Sequence, residues 1–149
     1  MLLQRASAGS GKTFTLAKTY IRLFISKRGE DGRYVLRSPG EIRDEHAHIL
    51  GVTFTNKATN EMKSRIVSKL AALAAEHPEA GEEPENHKTP DYLKNFTGED
   101  SGSTDADDII YNAAGRPASR RQIAETCRAA LKALLNDYGH FNISTIDTF

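Results

Sequence analysis

Eight residues near the amino terminus, Ala6-Ser7-Ala8-Gly9-Ser10-Gly11-Lys12-Thr13, have the types and order needed to hold a chain of phosphates. They match the pattern G-x-x-x-x-G-K-[ST] except that Ala6 stands at the first glycine position. Gly9 and Gly11 let the backbone approach an anion and turn successive N–H groups towards it, where the start of a helix adds positive partial charge. Lys12 has the reach to meet β and γ phosphates, each charge-assisted hydrogen bond contributing roughly 1.5–3 kcal/mol. An arginine there would be too large and too forked for the nest. Thr13 offers a hydroxyl to a Mg²⁺ ion bridging the same phosphates. The competing reading is a chance glycine turn before a helix. Against it stands the context, a short apolar run before the turn and a helical run after it.

Those flanking elements follow from periodicity. Leu2 to Ala6 reads as a short strand, and Gly11 to about Ser26 as a helix with Phe14, Ala17, Ile21 and Phe24 or Ile25 on one face. Residues 27–47 are charged and carry Gly29, Gly32 and a Pro39-Gly40 turn signal. The run His48–Phe54 suits a buried parallel strand. A helix starts near Asn56, with Ala58, Met62, Ile66, Leu70 and Leu73 along one side and Lys57, Lys63 and Lys69 on the other. Residues 76–116 contain three prolines and several glycines, and read mainly as an insertion or mobile loop, with short helical turns around Tyr92–Phe96 and Asp108–Ala113. Ser119 with Gln122 forms a capping box that opens a helix through Ile123, Cys127, Leu131, Leu134 and Tyr138, with Gly139 as its stop. Phe141–Phe149 reads as a further strand. Strands alternating with helices predict an α/β fold, a parallel sheet covered by helices, interrupted by the acidic insertion. The division is 1–75, 76–116 and 117–149.

The chain has 149 residues, 38% of them apolar and 27% charged, as expected of an ordinary globular domain. Its formal net charge is zero, which excludes a uniformly basic polyanion binder. The balance is uneven, however. Residues 1–75 hold 13 Lys and Arg against 6 Asp and Glu, whereas residues 76–116 hold 3 against 11. Cys127 is the single cysteine, which excludes an internal disulfide and reads as a small core residue. With no signal-like or membrane-spanning run, the sequence points to a cytoplasmic setting without membrane contact.

Two further blocks narrow the phosphate chemistry. Thr53-Phe54-Thr55-Asn56-Lys57-Ala58, followed by Glu61-Met62 and Arg65-Ile66, and Thr145-Ile146-Asp147-Thr148-Phe149 lie downstream of the phosphate loop. In this order they resemble the UvrD/Rep class of superfamily 1 DNA helicases, with the ASAGSGKT form most similar to AddA/RecB-like helicase subunits of recombination exonucleases. The resemblance covers about half the chain. It implies a partial RecA-like phosphate-loop ATPase domain, the N-terminal piece of a helicase or helicase-nuclease subunit used in DNA repair and recombination. It also implies ATP and Mg²⁺ as cofactors, single- and double-stranded DNA as partners, 3′ to 5′ translocation, and an AddB/RecC-like scaffold subunit. The first block is similar to helicase motif Ia, which touches single-stranded DNA. Phe54 would pack on a base while Thr53, Thr55, Asn56 and Lys57 approach the backbone, as stacking and charge allow without reading sequence. Thr145 and Thr148 would donate to phosphate. Core packing of Phe54 and strand-end capping by the threonines are the structural alternatives.

Some positions depart from the family pattern. Asp147 stands where the family has His, and its carboxylate would repel a phosphate. Only five residues precede Ala6, so no upstream adenine-binding Gln is available and ATP preference is implied by the resemblance alone. Asp44-Glu45-His46-Ala47-His48 looks superficially like an acidic catalytic box but precedes its strand, and reads as a solvated loop. His46 and His48 lack a cysteine to complete a zinc site. Asp105, Asp107 and Asp108 lack calcium-loop spacing and read as solvated charges. With no acidic box, γ-phosphate-sensing arginine or second motor domain, the chain alone is expected to bind nucleotide weakly and to lack unwinding activity. Two other classes remain open, a small phosphoryl transferase, which would need an arginine-rich lid, and a non-catalytic module retaining the loop as scaffold.

Overall fold

The computed structural model describes residues 10–53, 55–75, 91–99 and 108–145. Helix α1 (Ser10–Ile25) turns Tyr20, Ile21, Phe24 and Ile25 fully inward, the periodic face expected of it. A hairpin follows, strand β1 (Ser26–Arg28) pairing antiparallel with β2 (Tyr34–Leu36). Its turn closes by the Gly29 N–H donating to the Arg33 carbonyl at 2.7 Å, and Gly32 takes φ +83°, where a side chain would be strained. Short turns at Pro39–Glu41 and Glu45–His48 lead to β3 (Gly51–Thr53), which starts later than the predicted His48 because His48 belongs to the preceding turn.

Helix α2 (Asn56–Ala74) starts at a Thr55 cap whose hydroxyl oxygen accepts from the Ala58 N–H at 3.0 Å. Met62, Ile66, Leu70 and Leu73 are its buried stripe, as the spacing required. In the acidic stretch, α3 (Asp91–Thr97) buries Tyr92, Leu93 and Phe96 completely, and β4 (Ile110–Tyr111) pairs parallel with β2. The helical turn expected at Asp108–Ala113 is therefore a strand at Ile110–Tyr111. Local propensity yields there to pairing with β2, which satisfies backbone groups that burial of Ile110 removes from water.

Helix α4 (Arg120–Asn136) opens with the full capping box. Ser119 accepts from Gln122 N–H, and Gln122 accepts from Ser119 N–H at 3.0 Å. Ile123, Cys127, Ala130 and Leu134 are buried. Tyr138 is not on this helix, and Gly139 does not stop it. The helix ends at Asn136 with Asp137 as its cap, and Tyr138–His140 forms a separate turn that leaves Tyr138 45% exposed. Strand β5 (Ile143–Thr145) then pairs parallel with β3. The predicted Leu2–Ala6 strand and residues 146–149 lie outside the described residues.

The α/β class is as predicted, while the sheet is more mixed than the expected parallel one. One sheet has the order β1-β2-β4 with an antiparallel and a parallel pair, and a second comprises β3 and β5. Helices α1, α2 and α4 pack on one another and on these strands around a single apolar cluster. The ion pair of buried Arg120 with Glu99, with Nη2 to Oε1 at 2.6 Å, ties the end of α3 to the start of α4.

Candidate nucleotide and nucleic-acid site

The phosphate-loop residues divide at the edge of the described chain. Ala6, Ser7, Ala8 and Gly9 lie outside it, while Ser10, Gly11, Lys12 and Thr13 form the first turn of α1. That first turn contains no acidic residue, so no carboxylate of its own competes for the unsatisfied N–H groups at the helix start. The inner face of α1 from Leu16 to Ile25 is buried and seats this part of the 16-residue helix on the core. An anion is the class of ligand that such a helix start favours.

The two downstream blocks meet across a strand pair. Gly51 lies beside Ile143, Val52 beside Ser144, and Thr53 beside Thr145, so both parallel strands end at the same level. The α2 start, Thr55, Asn56 and Lys57, follows β3 at that same end, and all three residues are exposed. Carboxyl ends of parallel strands are where open α/β sheets bind ligands, because helix N-termini converge there. Phe54 and Thr148, expected to take part, lie outside the described residues. Thr55 serves as the α2 cap, a structural duty that accounts for its hydroxyl independently of any ligand.

Three side chains that tie distant segments together, two of them before the amino ends of β3 and β5, were not legible as such. His46, expected in a solvated loop, is 1% exposed, although Asp44 and His48 beside it are open to solvent as predicted. Its Nε2 meets both the Asp137 carboxylate at 3.0 Å and the Asp137 carbonyl at 3.2 Å, two acceptors that assign the proton to Nε2. Its ring packs on Phe24 at 5.7 Å. Asp108, also expected to be solvated, is 13% exposed and bridges Lys18 at 2.7 Å and Arg22 at 3.1 Å, both on α1. The acidic stretch is thus charge-linked to the phosphate-loop helix. Asn142, just before β5, donates to the Ala47 carbonyl at 3.0 Å, and its own carbonyl accepts from Gly51 N–H at 2.8 Å. No short sequence window contains these partners, which are about 90 residues apart.

Titration follows the same contacts. Burial pushes the Cys127 thiol and the Tyr20 phenol up, so neither ionises near neutrality, and Cys127 is a core residue as expected rather than a nucleophile. The Asp137 carboxyl lies below its ordinary 3.8 because His140 donates to it at 2.7 Å, with His46 adding to the effect. His140 in turn is raised above 6.5 by Asp137. The His140 contribution is complete below pH 6.5 and is lost as pH rises through its raised folded value. The Asp137 contribution is complete above pH 3.8 and is lost as pH falls through its lowered one. The stability difference between the native chain and Asp137→Asn should therefore be greatest between those two values and shrink on either side. Thermal melting across pH checks this, and a difference independent of pH would refute it.

Residues 2–148 match the UvrD/REP helicase N-terminal domain. The chain belongs to this family. Among curated proteins it is similar to RecBCD enzyme subunit RecB of Escherichia coli strain K12, 41% identical over 71 residues, and to that of Haemophilus influenzae, 39% identical over 79. It is also similar to an ATP-dependent helicase/nuclease subunit of Thermoanaerobacter sp. strain X514, 37% identical over 78 residues. The matches cover 48%, 48% and 52% of this chain. They cover 5%, 6% and 5% of the relatives, so the chain spans about a twentieth of their length. No solved structure matches it. For a UvrD/REP N-terminal domain the helices flanking small parallel and mixed sheets are the predicted class of fold. No helix among the described residues is long and apolar enough to cross a membrane.

Proposed function

We propose that this UvrD/REP N-terminal domain is the nucleotide-holding part of an ATP-dependent DNA helicase or helicase-nuclease subunit, and that it also carries part of the single-strand track. The observation that carries the reading is the in-register pairing of β3 with β5, which brings Thr53 level with Thr145 at the end where Thr55, Asn56 and Lys57 begin α2. In this reading Ala6–Gly9 and the α1 start bind the phosphates by backbone N–H groups, Lys12 neutralises them, and the Thr13 hydroxyl is a Mg²⁺ ligand. ATP hydrolysis supplies the free energy for movement. The strand-end hydroxyls and Lys57 hold the DNA backbone without reading its sequence, with Phe54 stacking on a base. The names of the relatives, each a subunit of a larger enzyme, support an association with a further subunit, in this reading of the AddB/RecC-like kind, and the same reading has the assembly work on DNA in repair and recombination.

Lys57→Ala tests the division of labour. It should weaken binding of a single-stranded oligonucleotide several-fold and lower the salt slope by about 0.7, the loss of roughly one phosphate contact, with Mg·ATP affinity unchanged. Fluorescence anisotropy over a salt series reads the first effect and calorimetry the second. Loss of nucleotide affinity with DNA binding intact would sink the assignment.

A further inference from the structure

The outer side of α2 is lined by Lys57, Asn60, Glu61, Ser64, Arg65, Ser68 and Lys69, which border a groove of about 830 Å³. These positions recur at steps of three and four and so form one continuous helix face. From Lys57 to Lys69 the face runs for about 18 Å, twelve residues at the helical rise. Its described lining residues are all of polar type, three cations, one carboxylate, two hydroxyls and an amide, whose aliphatic stems supply much of the surface.

Several cations outside this face are held by carboxylates. Arg37 is held by Glu45, and Arg22 and Lys18 by Asp108. Among the described residues Lys57, Arg65 and Lys69 have no carboxylate within 4 Å. Lys63, on the same helix, turns away from the groove and lies over the Tyr138 and Phe141 rings at 5.4 and 5.5 Å. Lys69 has its ammonium 5.5 Å over the Tyr92 ring, a contact that leaves its positive charge intact. Among the described residues that line the groove there is neither an apolar anchor nor an aromatic to stack on a base. The chemistry suits a run of backbone phosphates, with serine hydroxyls donating between the cations.

We propose that this face is a phosphate track for single-stranded nucleic acid, continuing along α2 from Lys57 towards Lys69. The inference rests on the strand-end reading given above and extends it by Arg65, Lys69, Ser64 and Ser68. Lys57 belongs to both, so the test separates it from the others.

The experiment uses the full 149-residue chain with a fluorescein-labelled oligothymidylate of about 15 nucleotides, comparing Arg65→Ala/Lys69→Ala with Lys57→Ala. All three residues are at least partly solvent-accessible, and circular dichroism verifies that α2 remains folded. The double variant should weaken binding about tenfold at low salt and lower the salt slope by roughly 1.4, two single-strand phosphate contacts. Ser64→Ala/Ser68→Ala should weaken binding less and leave the slope unchanged, because a hydroxyl displaces no counterion. A double-variant slope equal to that of the native chain, with Lys57→Ala still impaired, overturns the track and keeps the strand-end site. Unimpaired binding in both variants overturns the strand-end reading as well. If a poly-glutamate peptide binds through Arg65 and Lys69 and the oligonucleotide does not displace it, the face serves an acidic protein segment and the proposal is wrong.

Discussion

Replacing Lys12 by alanine is expected to weaken Mg·ATP binding by roughly ten- to a hundredfold or more, the loss of a charge-assisted hydrogen bond of roughly 1.5–3 kcal/mol, and to abolish turnover in the assembled enzyme. The same substitution should not destabilise the empty domain. Lys12 lies in the first turn of α1, where the helix dipole disfavours a cation by about 0.3–1 kcal/mol, and alanine has the better helix propensity. The two effects therefore have opposite signs, as they should if the residue is kept for a ligand and not for the fold. Calorimetric titration with a non-hydrolysable ATP analogue, alongside urea unfolding of both proteins without nucleotide, reads them separately. Unchanged affinity would remove the phosphate loop from the proposal. A marked loss of stability with affinity intact would make Lys12 a structural residue.

The elements on which this expectation rests were those most visible in the sequence. Helices α1, α2 and α4 each span four turns or more, so their apolar stripes repeat often enough to set period and face together. The Ser119–Gln122 pair fixed the start of α4 to the residue. Strands β3 and β5 were recognisable from their β-branched and apolar runs, and the family blocks lay at their carboxyl ends.

The hairpin was not recognisable. Strand β1 is Ser-Lys-Arg with its two charged residues exposed, so no alternation marks it. What makes it a strand is pairing with β2, whose other edge is held by β4 from the acidic stretch. That partner is 76 positions away, beyond any local pattern. Charge misled in the same way at His46 and Asp108. Both residue types are usually solvated, and here His46 is buried and Asp108 partly buried because an opposite charge or acceptor arrives from a distant segment. The turn at Tyr138–His140 follows from the same pairing, since Asp137 leaves the helical path and its oxygens face His46 and His140.

Phe24→Ala is expected to cost about 3–5 kcal/mol in unfolding free energy, a large share of the roughly 5–15 kcal/mol that holds a domain of this kind. Phe24 is fully buried on α1, with its ring 6.3 Å from Tyr20 edge-on and 5.7 Å from the His46 ring. Removing it leaves a cavity beneath the Glu45–His48 turn. The two neighbours cannot collapse into it freely: the Tyr20 hydroxyl donates to the His46 carbonyl at 3.4 Å, and His46 is tied to Asp137. Incomplete collapse puts the cost towards the upper part of that range, and Phe24→Leu, which refills most of the volume, should cost markedly less. Urea unfolding at constant slope measures both. For the protein that remains folded, intrinsic nucleotide affinity should be unaltered, because the ligand end of α1 begins fourteen residues earlier at Ser10. Lys12→Ala and Phe24→Ala thus test the same helix from opposite ends, one through its ligand and the other through its packing. A Phe24→Ala cost below about 1 kcal/mol would mean that α1 is not seated on the core as described, since so small a loss is typical of a surface change.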